Sequence, residues 1–356
     1  MRTKLQKEEN MSRGRRVGQV LLVVGLIALV ATGSLFAEEM VDISKYKKSP
    51  PYKVAFDIYY KGNTWGVQLF EEFKAEVARH PDLISDAFYT DSEGNAAKQI
   101  SNIEDLIVRD PDVLVITPTS FTAVVPVIEK AYDRGIVVIL CAAAADTENY
   151  TSFVNVDDFE YGVTGGKWLV EAMGYKGNVV GLSGIAGVST AEDRWRGAMS
   201  VFEQYPDIKV VAHEYCNWNY VDAKMAMESL IPAHPTIDGI WTGAGMMARG
   251  AIEALLAAGR SVPAITADDD NGYLKMWKKF DLTAVSLTKP TWLSQKGLQI
   301  GLDIVQGKAT PKVNILPAYV ITKETLDDFV RPDLPDTMFV NTHLPEDVIR
   351  RLFPGE

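Results

Sequence analysis

Residues 111–140 read PDVLVITPTSFTAVVPVIEKAYDRGIVVIL, and this stretch decides the fold. Two runs of Val, Ile and Leu, VLVI at 113–116 and IVVIL at 136–140, are typical of strands that are buried on both faces. Between them, residues 123–134 carry apolar side chains at helical spacing. A strand, a helix and a second strand in this order predict a parallel sheet covered by helices on both faces.

The same alternation of strand and helix continues on both sides of this stretch. Upstream and downstream strands are predicted at residues 54–60, 84–89, 178–182, 208–213, 237–241 and 264–266. The sequence therefore predicts an α/β protein with two doubly wound parallel-sheet lobes. Because open α/β sheets bind ligands at the carboxyl ends of their strands, the residues that follow each strand are the candidates for a site between the lobes.

The first 37 residues have the pattern of a signal peptide. Basic residues precede an apolar run at 17–31, and small residues lead to Ala37, after which we expect cleavage and release into the periplasm. An uncleaved membrane anchor is the alternative. Because residues 1–37 carry six basic and two acidic side chains, the mature chain would have a net charge of −15 rather than −11.

The composition argues against several classes of function. A net charge of −11 disfavours nucleic acid as a partner, because such binding depends on Lys and Arg that neutralise phosphates. A repressor with the same core fold would also need an N-terminal helix-turn-helix, a basic face and no export signal. The two cysteines, Cys141 and Cys216, allow at most one disulfide and exclude a four-cysteine zinc site.

No motif predicts catalysis, a metal or a cofactor. The segment GVTGGK at 162–167 resembles a phosphate-binding loop, but Trp168 stands where Ser or Thr would bind magnesium. The segment DDDNG at 268–272 resembles a calcium loop, but Lys279 occupies its twelfth position, where a bidentate Glu belongs. The four histidines are scattered, and no serine lies in a nucleophile elbow. No catalytic constellation emerges, and we expect no catalytic residue, no metal and no cofactor.

Several short motifs occur in the same order as in a known family. They are Asn63-Thr-Trp65, Asp91-Ser-Glu-Gly-Asn95, Ile116-Thr-Pro-Thr119, Gly184-Ile-Ala-Gly187 with Arg194 and Gly197, Cys216-Asn-Trp218, and residues 230–235 and 301–307. On these motifs, residues 52–325 resemble the type I periplasmic sugar-binding proteins, and their pattern is similar to that of the ribose-binding branch. Members of this family are the substrate-binding components of ABC importers.

The resemblance implies two lobes that are joined by a three-crossover hinge and close on a ligand. After an N-terminal loop at 38–51, lobe one would comprise residues 52–154 and 288–316, and lobe two residues 155–287 and 317–329. Residues 330–356 would form a C-terminal extension beyond the ribose-type end, and we expect it to pack over the surface of one lobe.

The resemblance also implies the ligand-binding residues. These are Asn63, Trp65, Cys141, Glu192, Arg194, Trp218, Asp268 and Thr288. Trp65 and Trp218 would stack on the sugar from opposite lobes, since C–H faces of a sugar pack on aromatic rings, and Asp268 would accept hydroxyl hydrogen bonds. Plain packing is the alternative role for the two tryptophans, helix capping for Asp268, and a solvated position for Glu192.

The sequence departs from the ribose-type pattern at three places. Cys141-Ala142 and Ala244-Gly245 replace an Asp-Arg pair and an Asn-Asp pair, and Glu192 replaces a sugar-binding Arg. Arg194 matches a separate arginine of structural role. These departures argue against ribose specificity, and a different small ligand, either polyhydroxylated or less polar, is expected. Asp269, which follows Asp268, is expected to be a helix cap or a solvated acid.

These observations predict an exported solute-binding protein of an ABC importer that captures a monosaccharide or sugar alcohol. The expected partners are that ligand and the permease subunits, and the expected state is a monomer. A sensory role that feeds a chemoreceptor or histidine kinase is the alternative, because it would use the same binding chemistry. A periplasmic enzyme is a further alternative, which would reveal itself by turnover of the ligand.

Overall fold

The computed structural model describes residues 39–354. The predicted signal peptide and its cleavage position lie outside the described residues. Within 39–354, no helix has both the length and the apolar character that crossing a membrane requires.

Strands and helices alternate along the chain. The strands are β1 (Tyr52–Ile58), β2 (Ile84–Asp91), β3 (Val113–Ile116), β4 (Val137–Cys141), β5 (Ser152–Val156), β6 (Gly177–Ser183), β7 (Ile208–Tyr215), β8 (Gly239–Thr242), β9 (Ala264–Ala267), β10 (Ala284–Leu287), β11 (Val313–Leu316) and β12 (Val320–Ile321). The helices are α1 (Thr64–Ala78), α2 (Ala96–Val108), α3 (Val125–Asp133), α4 (Asp158–Ala172), α5 (Ser189–Phe202), α6 (Tyr220–Ala233), α7 (Gly245–Ala257), α8 (Asn271–Phe280), α9 (Leu293–Val305), α10 (Leu326–Phe329) and α11 (Glu346–Leu352).

The strands form two sheets, and each sheet with its helices is called a lobe below. The sheet of lobe one has the order β11-β5-β4-β3-β1-β2, and every pair of neighbours is parallel. The sheet of lobe two has the order β12-β10-β9-β8-β6-β7, and its short edge strand β12 is antiparallel to β10. The two doubly wound lobes predicted from the sequence are confirmed.

Both faces of each sheet are buried, which explains the unbroken apolar runs in the sequence. In β3, Val113 and Val115 pack toward α1 and α9, while Leu114 and Ile116 pack toward α2 and α3. In lobe two, α4 and α5 cover one face of the sheet, and α6, α7 and α8 cover the other. A central strand in this arrangement has no solvated side, so it needs no polar residue.

Short polar side chains begin the helices that follow the strands of the site. The Asn63 side chain accepts a hydrogen bond from Gly66 N and caps α1, and Asp270 accepts one from Tyr273 N and caps α8. Such caps satisfy backbone N–H groups that have no partner inside the helix. The cap of α8 is therefore Asp270, two residues beyond Asp268, which leaves Asp268 available for another role.

In the described part of the chain, three connections link the two sheets. They run from β5 to α4, from β10 to α9 and from β11 to β12. The periodicity of the sequence did not predict β5, β10, β11 or β12. These strands are short, and β11 is partly exposed, so their apolar signal is weak.

The C-terminal extension differs from the expectation. Its described part does not pack over a single lobe but contacts both lobes. Phe339 N donates to Gln68 Oε1 of α1 in lobe one, and Asn271 N of α8 in lobe two donates to Met338 O. The amide and carboxylate side chains that hold the extension lie far from it in the sequence, so the position of the extension depends on the completed tertiary structure.

Candidate functional site

A cavity lies between the lobes, where the carboxyl ends of the two sheets face each other. Its empty space amounts to about 480 Å³, counting the part open to solvent. Its walls are formed by Tyr59, Asn63, Trp65, Thr117, Pro118, Ala142, Ala143, Val188, Thr190, Arg194, Trp218, Ala244, Met246, Asp268, Lys289 and Phe339. Five of the eight residues predicted to bind ligand are thus brought together: Asn63, Trp65, Arg194, Trp218 and Asp268.

The two predicted tryptophans come from opposite lobes. Trp65 lies in the first turn of α1, and its Nε1 donates to Lys289 O at 3.0 Å. Trp218 precedes α6 and packs edge-on against Tyr59, with ring centroids 5.9 Å apart. The Trp65 N–H group is hydrogen-bonded to protein, and the Trp218 ring packs against Tyr59. Both indoles line the cavity. This arrangement is suited to the C–H faces of a polyhydroxylated ligand.

The loop that carries Trp218 has an unusual backbone. Asn217 and Trp218 both have positive φ, 53° and 49°, a region that residues with side chains seldom adopt. The indole lies directly over Gly184, where an added Cβ would come within 2.0 Å of Trp218 Cε2. The glycine is therefore required for the close approach of the ring, and the Gly184 motif has a physical explanation.

Arg194 is held rigidly at the cavity wall. Its Nε donates to Asp158 Oδ1 at 2.9 Å, its Nη1 donates to Gly243 O at 2.6 Å, and the guanidinium lies 3.7 Å from the centroid of the Tyr161 ring. Its buried Nη2 has no hydrogen-bond partner among residues 39–354. A buried donor without a partner is costly, so this atom is a candidate for contact with a ligand.

A second residue that lines the cavity also has a buried polar atom without a hydrogen-bond partner. The buried Thr117 Oγ1, directly after β3, has no hydrogen-bond partner in the described structure. The loop itself is fixed, because Gln99 Nε2 donates to Thr117 O and Gln99 Oε1 accepts from Thr119 N. Thr117 and Arg194 therefore supply a hydroxyl and a guanidinium from opposite lobes, both held in position by their neighbours.

Asp268 is the carboxylate of the cavity. It is buried, and its Oδ1 accepts a hydrogen bond from Gly245 N. Burial and the neighbouring Asp269 raise the pKa of Asp268 well above its ordinary value, although Arg194 acts in the opposite direction. A carboxyl group in this position can accept hydroxyl hydrogen bonds from a ligand when it is ionised.

The ammonium group of Lys289 links the two lobes at the cavity. Its Nζ donates to Ala142 O of lobe one at 2.7 Å and to Asp158 Oδ2 of lobe two at 2.9 Å, and it lies 3.1 Å from Thr190 Oγ1. Burial lowers the pKa of Lys289 to about 8, although Asp158 opposes this shift. Because its three N–H groups are engaged by protein, Lys289 is a positioning residue for the cavity.

Three predicted site residues do not line the cavity. The Cys141 thiol is buried in the core at the end of β4, where burial raises its pKa to about 12. The Glu192 carboxylate turns toward its own loop and accepts from Gly187 N and the Tyr215 hydroxyl. The Thr288 hydroxyl accepts from Tyr319 N and Asn341 Nδ2, so it holds the third connection and the C-terminal extension. The Cys141 thiol is thus part of the core, and the polar groups of Glu192 and Thr288 are hydrogen-bonded to protein outside the cavity.

Two further expectations can be compared with the structure. Asp269 is neither solvated nor a cap: it is fully buried, and its Oδ2 accepts from Asn341 N at 2.7 Å. Cys141 and Cys216 are both buried, and neither forms a disulfide within residues 39–354. In the same described range, no group of three or more His, Cys, Asp or Glu side chains is arranged to hold a metal ion.

Sequence reasoning missed several residues of the cavity. The sequence predicts Tyr59 within the first strand, but this strand ends at Ile58, so Tyr59 is the first residue beyond its carboxyl end and lines the cavity. Thr117 and Lys289 also follow strands closely, and this position could have identified them. Met246 and Phe339 carry no such signal, because an apolar side chain in a helix or an irregular tail is indistinguishable in sequence from an ordinary core residue.

The lobes touch each other around the cavity. Thr190 Oγ1 of lobe two donates to Ala142 O of lobe one at 2.9 Å, and Ala144 N of lobe one donates to Ser189 Oγ of lobe two at 2.8 Å. A third contact joins Phe121 N to Gly187 O at 3.1 Å. The two sheets are thus in direct contact beside the cavity as well as connected by the chain.

Comparison with known proteins identifies the family. Residues 54–309 match the model of the periplasmic binding protein domain. The xylitol-binding protein of Mycolicibacterium smegmatis is 30% identical over 243 residues, which cover 67% of this chain and 69% of that protein. The ribose import binding protein of Bacillus subtilis is 23% identical over 310 residues, which cover 87% of this chain and all of that protein.

A solved structure supports the same assignment. The fructose-binding periplasmic domain of a hybrid two-component system superposes with a TM-score of 0.73 at 25% identity, covering 78% of this chain and 92% of that one. The family match, the two doubly wound sheets and the cavity at their carboxyl ends agree with one another. The chain belongs to the periplasmic binding protein family, and its two doubly wound lobes have the type I fold of that family.

Proposed function

We propose that this protein captures a monosaccharide or sugar alcohol between its two lobes and delivers it to the permease of an ABC importer. One observation carries the choice of ligand. Two buried polar atoms that no described residue satisfies, Arg194 Nη2 and Thr117 Oγ1, belong to residues that line a cavity, and Trp65, Trp218 and Asp268 line the same cavity. Hydroxyl groups would satisfy both atoms and Asp268, while the ring faces would cover the C–H groups.

The balance of polar and apolar groups favours a small neutral ligand. The charged side chains at the wall are Arg194, Asp268 and Lys289, and Lys289 is already engaged with protein. An amino acid would bring both an ammonium and a carboxylate, and a single available cation beside a single carboxyl group of raised pKa is a poor match for that pair. The relatives named for xylitol and ribose are consistent with a polyol or a sugar.

A thermal-shift screen tests the ligand class. At a concentration one hundred times its dissociation constant, a ligand that binds the folded state should add about 2.7 kcal/mol to the free energy of unfolding. We expect a response from one or more pentoses, hexoses or sugar alcohols, and calorimetry should then confirm binding with one ligand per chain. Responses confined to amino acids or peptides would contradict the proposal.

A sensory role is the second candidate. It is favoured by the structural similarity to a fructose-binding domain that belongs to a hybrid two-component system. The two roles predict different losses in a deletion strain. Loss of uptake of the radiolabelled ligand indicates transport, whereas intact uptake with a lost transcriptional or chemotactic response to the ligand indicates sensing.

Export is also part of the proposal. The pattern of residues 1–37 supports cleavage after Ala37 and a mature protein in the periplasm. Intact-mass measurement of the exported protein should therefore give a chain that begins at Glu38. A mass that still includes residues 1–37 would indicate the anchored form instead.

A further inference from the structure

The C-terminal extension contributes a wall of the cavity. Phe339 lies 23 residues beyond the end of β11 at Leu316, yet it lines the cavity and is only 1% exposed. The family match ends at residue 309, so this part of the chain is not implied by membership of the family. A residue of the ligand-binding cavity is therefore supplied by a segment that lies outside the shared domain.

Lobe one fixes the backbone of Phe339. The fully buried Gln68 side chain of α1 accepts from Phe339 N at 2.7 Å and donates to Phe339 O at 3.1 Å. One turn along the helix, Glu72 accepts from Thr342 Oγ1 at 2.6 Å and from His343 N at 2.7 Å. Both peptide groups of Phe339 are thus satisfied by one amide, so the residue is held in a defined position.

Lobe two fixes the residues on either side. Val340 N donates to Asp269 O at 3.1 Å, and Asn341 N donates to Asp269 Oδ2 at 2.7 Å. On the other side, Asn271 N donates to Met338 O at 2.8 Å. With its neighbours tied to α8 and to the loop before it, and Phe339 itself tied to α1, the backbone of Phe339 cannot move away from the cavity without breaking several buried hydrogen bonds.

We propose that Phe339 determines ligand specificity by limiting ligand length. The inference rests on the proposed function and adds the residue that sets the upper size. A phenyl ring has no hydrogen-bonding atom, so a hydroxyl pressed against it would lose water without gaining a partner. A ligand that is longer by one CHOH unit toward Phe339 is therefore rejected on two grounds, by volume and by the unsatisfied hydroxyl.

The test compares dissociation constants along two series of probes. Linear sugar alcohols with three to seven carbons, from glycerol through xylitol and sorbitol, and aldoses with four to seven carbons are titrated by calorimetry. The quantity measured is the ratio of the dissociation constant of the best wild-type probe to that of the probe one carbon longer in its series. We expect Phe339→Ala to shift this ratio at least about tenfold in favour of the longer probe.

Met338→Ala is the matched control. Met338 is 2% exposed and packs with Leu334, Leu344 and Ile349 within the extension, away from the cavity. This variant loses comparable packing in the same segment, so it should change the affinity for both probes by the same factor and leave the ratio unchanged. If Phe339→Ala fails to fold, Phe339→Leu, which keeps an apolar side chain of smaller size, should show the same shift to a smaller extent.

The outcomes are separable. A ratio shift in Phe339→Ala or Phe339→Leu, with none in Met338→Ala, supports the inference. Equal weakening of both probes, or no change in any variant, overturns it and leaves the proposed function intact. A wild-type protein that binds no probe of either series overturns this inference, and the proposed function is overturned as well only if the wider screen of sugars and sugar alcohols also gives no response.

Discussion

Lys289 and Asp158 form a buried ion pair, with Nζ 2.9 Å from Oδ2, that joins two of the connections between the lobes. Asp158 is the first residue of α4, directly after the connection from β5, and Lys289 lies in the connection from β10 to α9. Burial acts to raise the pKa of Asp158, but the nearby charges of Lys289 and Arg194 outweigh it and hold this pKa below its ordinary value. The pair therefore fixes the part of the cavity wall next to the connections between the lobes. It also helps to position Arg194, which is hydrogen-bonded to the same aspartate.

Lys289→Met should destabilise the protein strongly. The change leaves the Asp158 carboxylate buried with Arg194 as its remaining cation, and removing one partner of a buried pair costs about 3–5 kcal/mol. We expect a loss of about 3 kcal/mol in the free energy of unfolding measured by urea denaturation. The same substitution at Lys278, which pairs with Asp327 on the surface, should cost about 0–1 kcal/mol. Equal losses in the two variants would contradict the role given to Lys289.

Asp57 should make stability depend on pH in the acid range. It is fully buried in β1, and burial raises its pKa to about 6, although hydrogen bonds from Gln99, Thr90 and Ser92 oppose the shift. Between the unfolded value near 3.8 and the folded value near 6, the folded protein binds a proton that the unfolded chain does not. The free energy of unfolding therefore falls as pH rises through this window and is lowest above pH 6 with respect to this group.

Asp57→Asn isolates this effect. The difference in unfolding free energy between the wild type and the variant should fall by about 2.4 kcal/mol from pH 4 to pH 7, measured by urea denaturation at each pH. Because Gln99 bridges Asp57 and the Thr117 loop, the variant should also weaken binding of the ligand found by the screen. A difference that stays constant over this range would show that Asp57 titrates at its ordinary pKa.

The sequence predicted the parts of the structure that depend on local pattern. The VLVI run at 113–116 is a strand with the predicted bounds, because a strand that is buried on both faces must be apolar along its whole length. The family resemblance implied Trp65 and Asp268, and both follow strands, β1 in lobe one and β9 in lobe two, whose carboxyl ends face the cavity. The same reasoning failed for Cys141 and Thr288, since position at a strand end does not determine which way a side chain points.

The extension could not be placed from sequence for a different reason. The bonds between Gln68 and Phe339 join residues 271 positions apart, and no local periodicity encodes a contact of that range. Asp269 is a second residue whose environment depends on contacts that are distant in the sequence. A run of three aspartates is typical of an exposed loop, and its burial is explained only by the hydrogen bonds that Asn341 N and Lys289 N donate to it.

Asp268→Asn should weaken ligand binding at least about tenfold. Exchanging a carboxyl oxygen for an amide NH2 removes a hydrogen-bond acceptor and leaves a ligand hydroxyl unpaired, which costs about 1–3 kcal/mol, and a factor of ten corresponds to about 1.4 kcal/mol. Calorimetry with the ligand from the screen measures the change. Asp281→Asn makes the same chemical change on an exposed side chain that pairs with Lys323, and it should leave affinity unchanged. Unaltered affinity in Asp268→Asn would remove Asp268 from the binding site.

Gly184→Ala tests the position of Trp218. The added methyl group would lie 2.0 Å from Trp218 Cε2, so the indole must move, and its backbone at φ 49° leaves little freedom to compensate. We expect the near-ultraviolet circular dichroism of the tryptophans to change and ligand affinity to fall at least about tenfold, because the ring face that covers the ligand is displaced.

Gly297→Ala provides the comparison for this variant. At Gly297 in α9 an added Cβ meets its nearest neighbour, Val115 Cγ1, at the ordinary contact distance of 3.4 Å, so both the fold and the affinity should be retained. Since overpacking costs about 1–3 kcal/mol, thermal unfolding must first show that Gly184→Ala is folded at the temperature of the titration. A folded Gly184→Ala protein with altered tryptophan dichroism and wild-type affinity would mean that Trp218 packs beside the cavity without contacting the ligand.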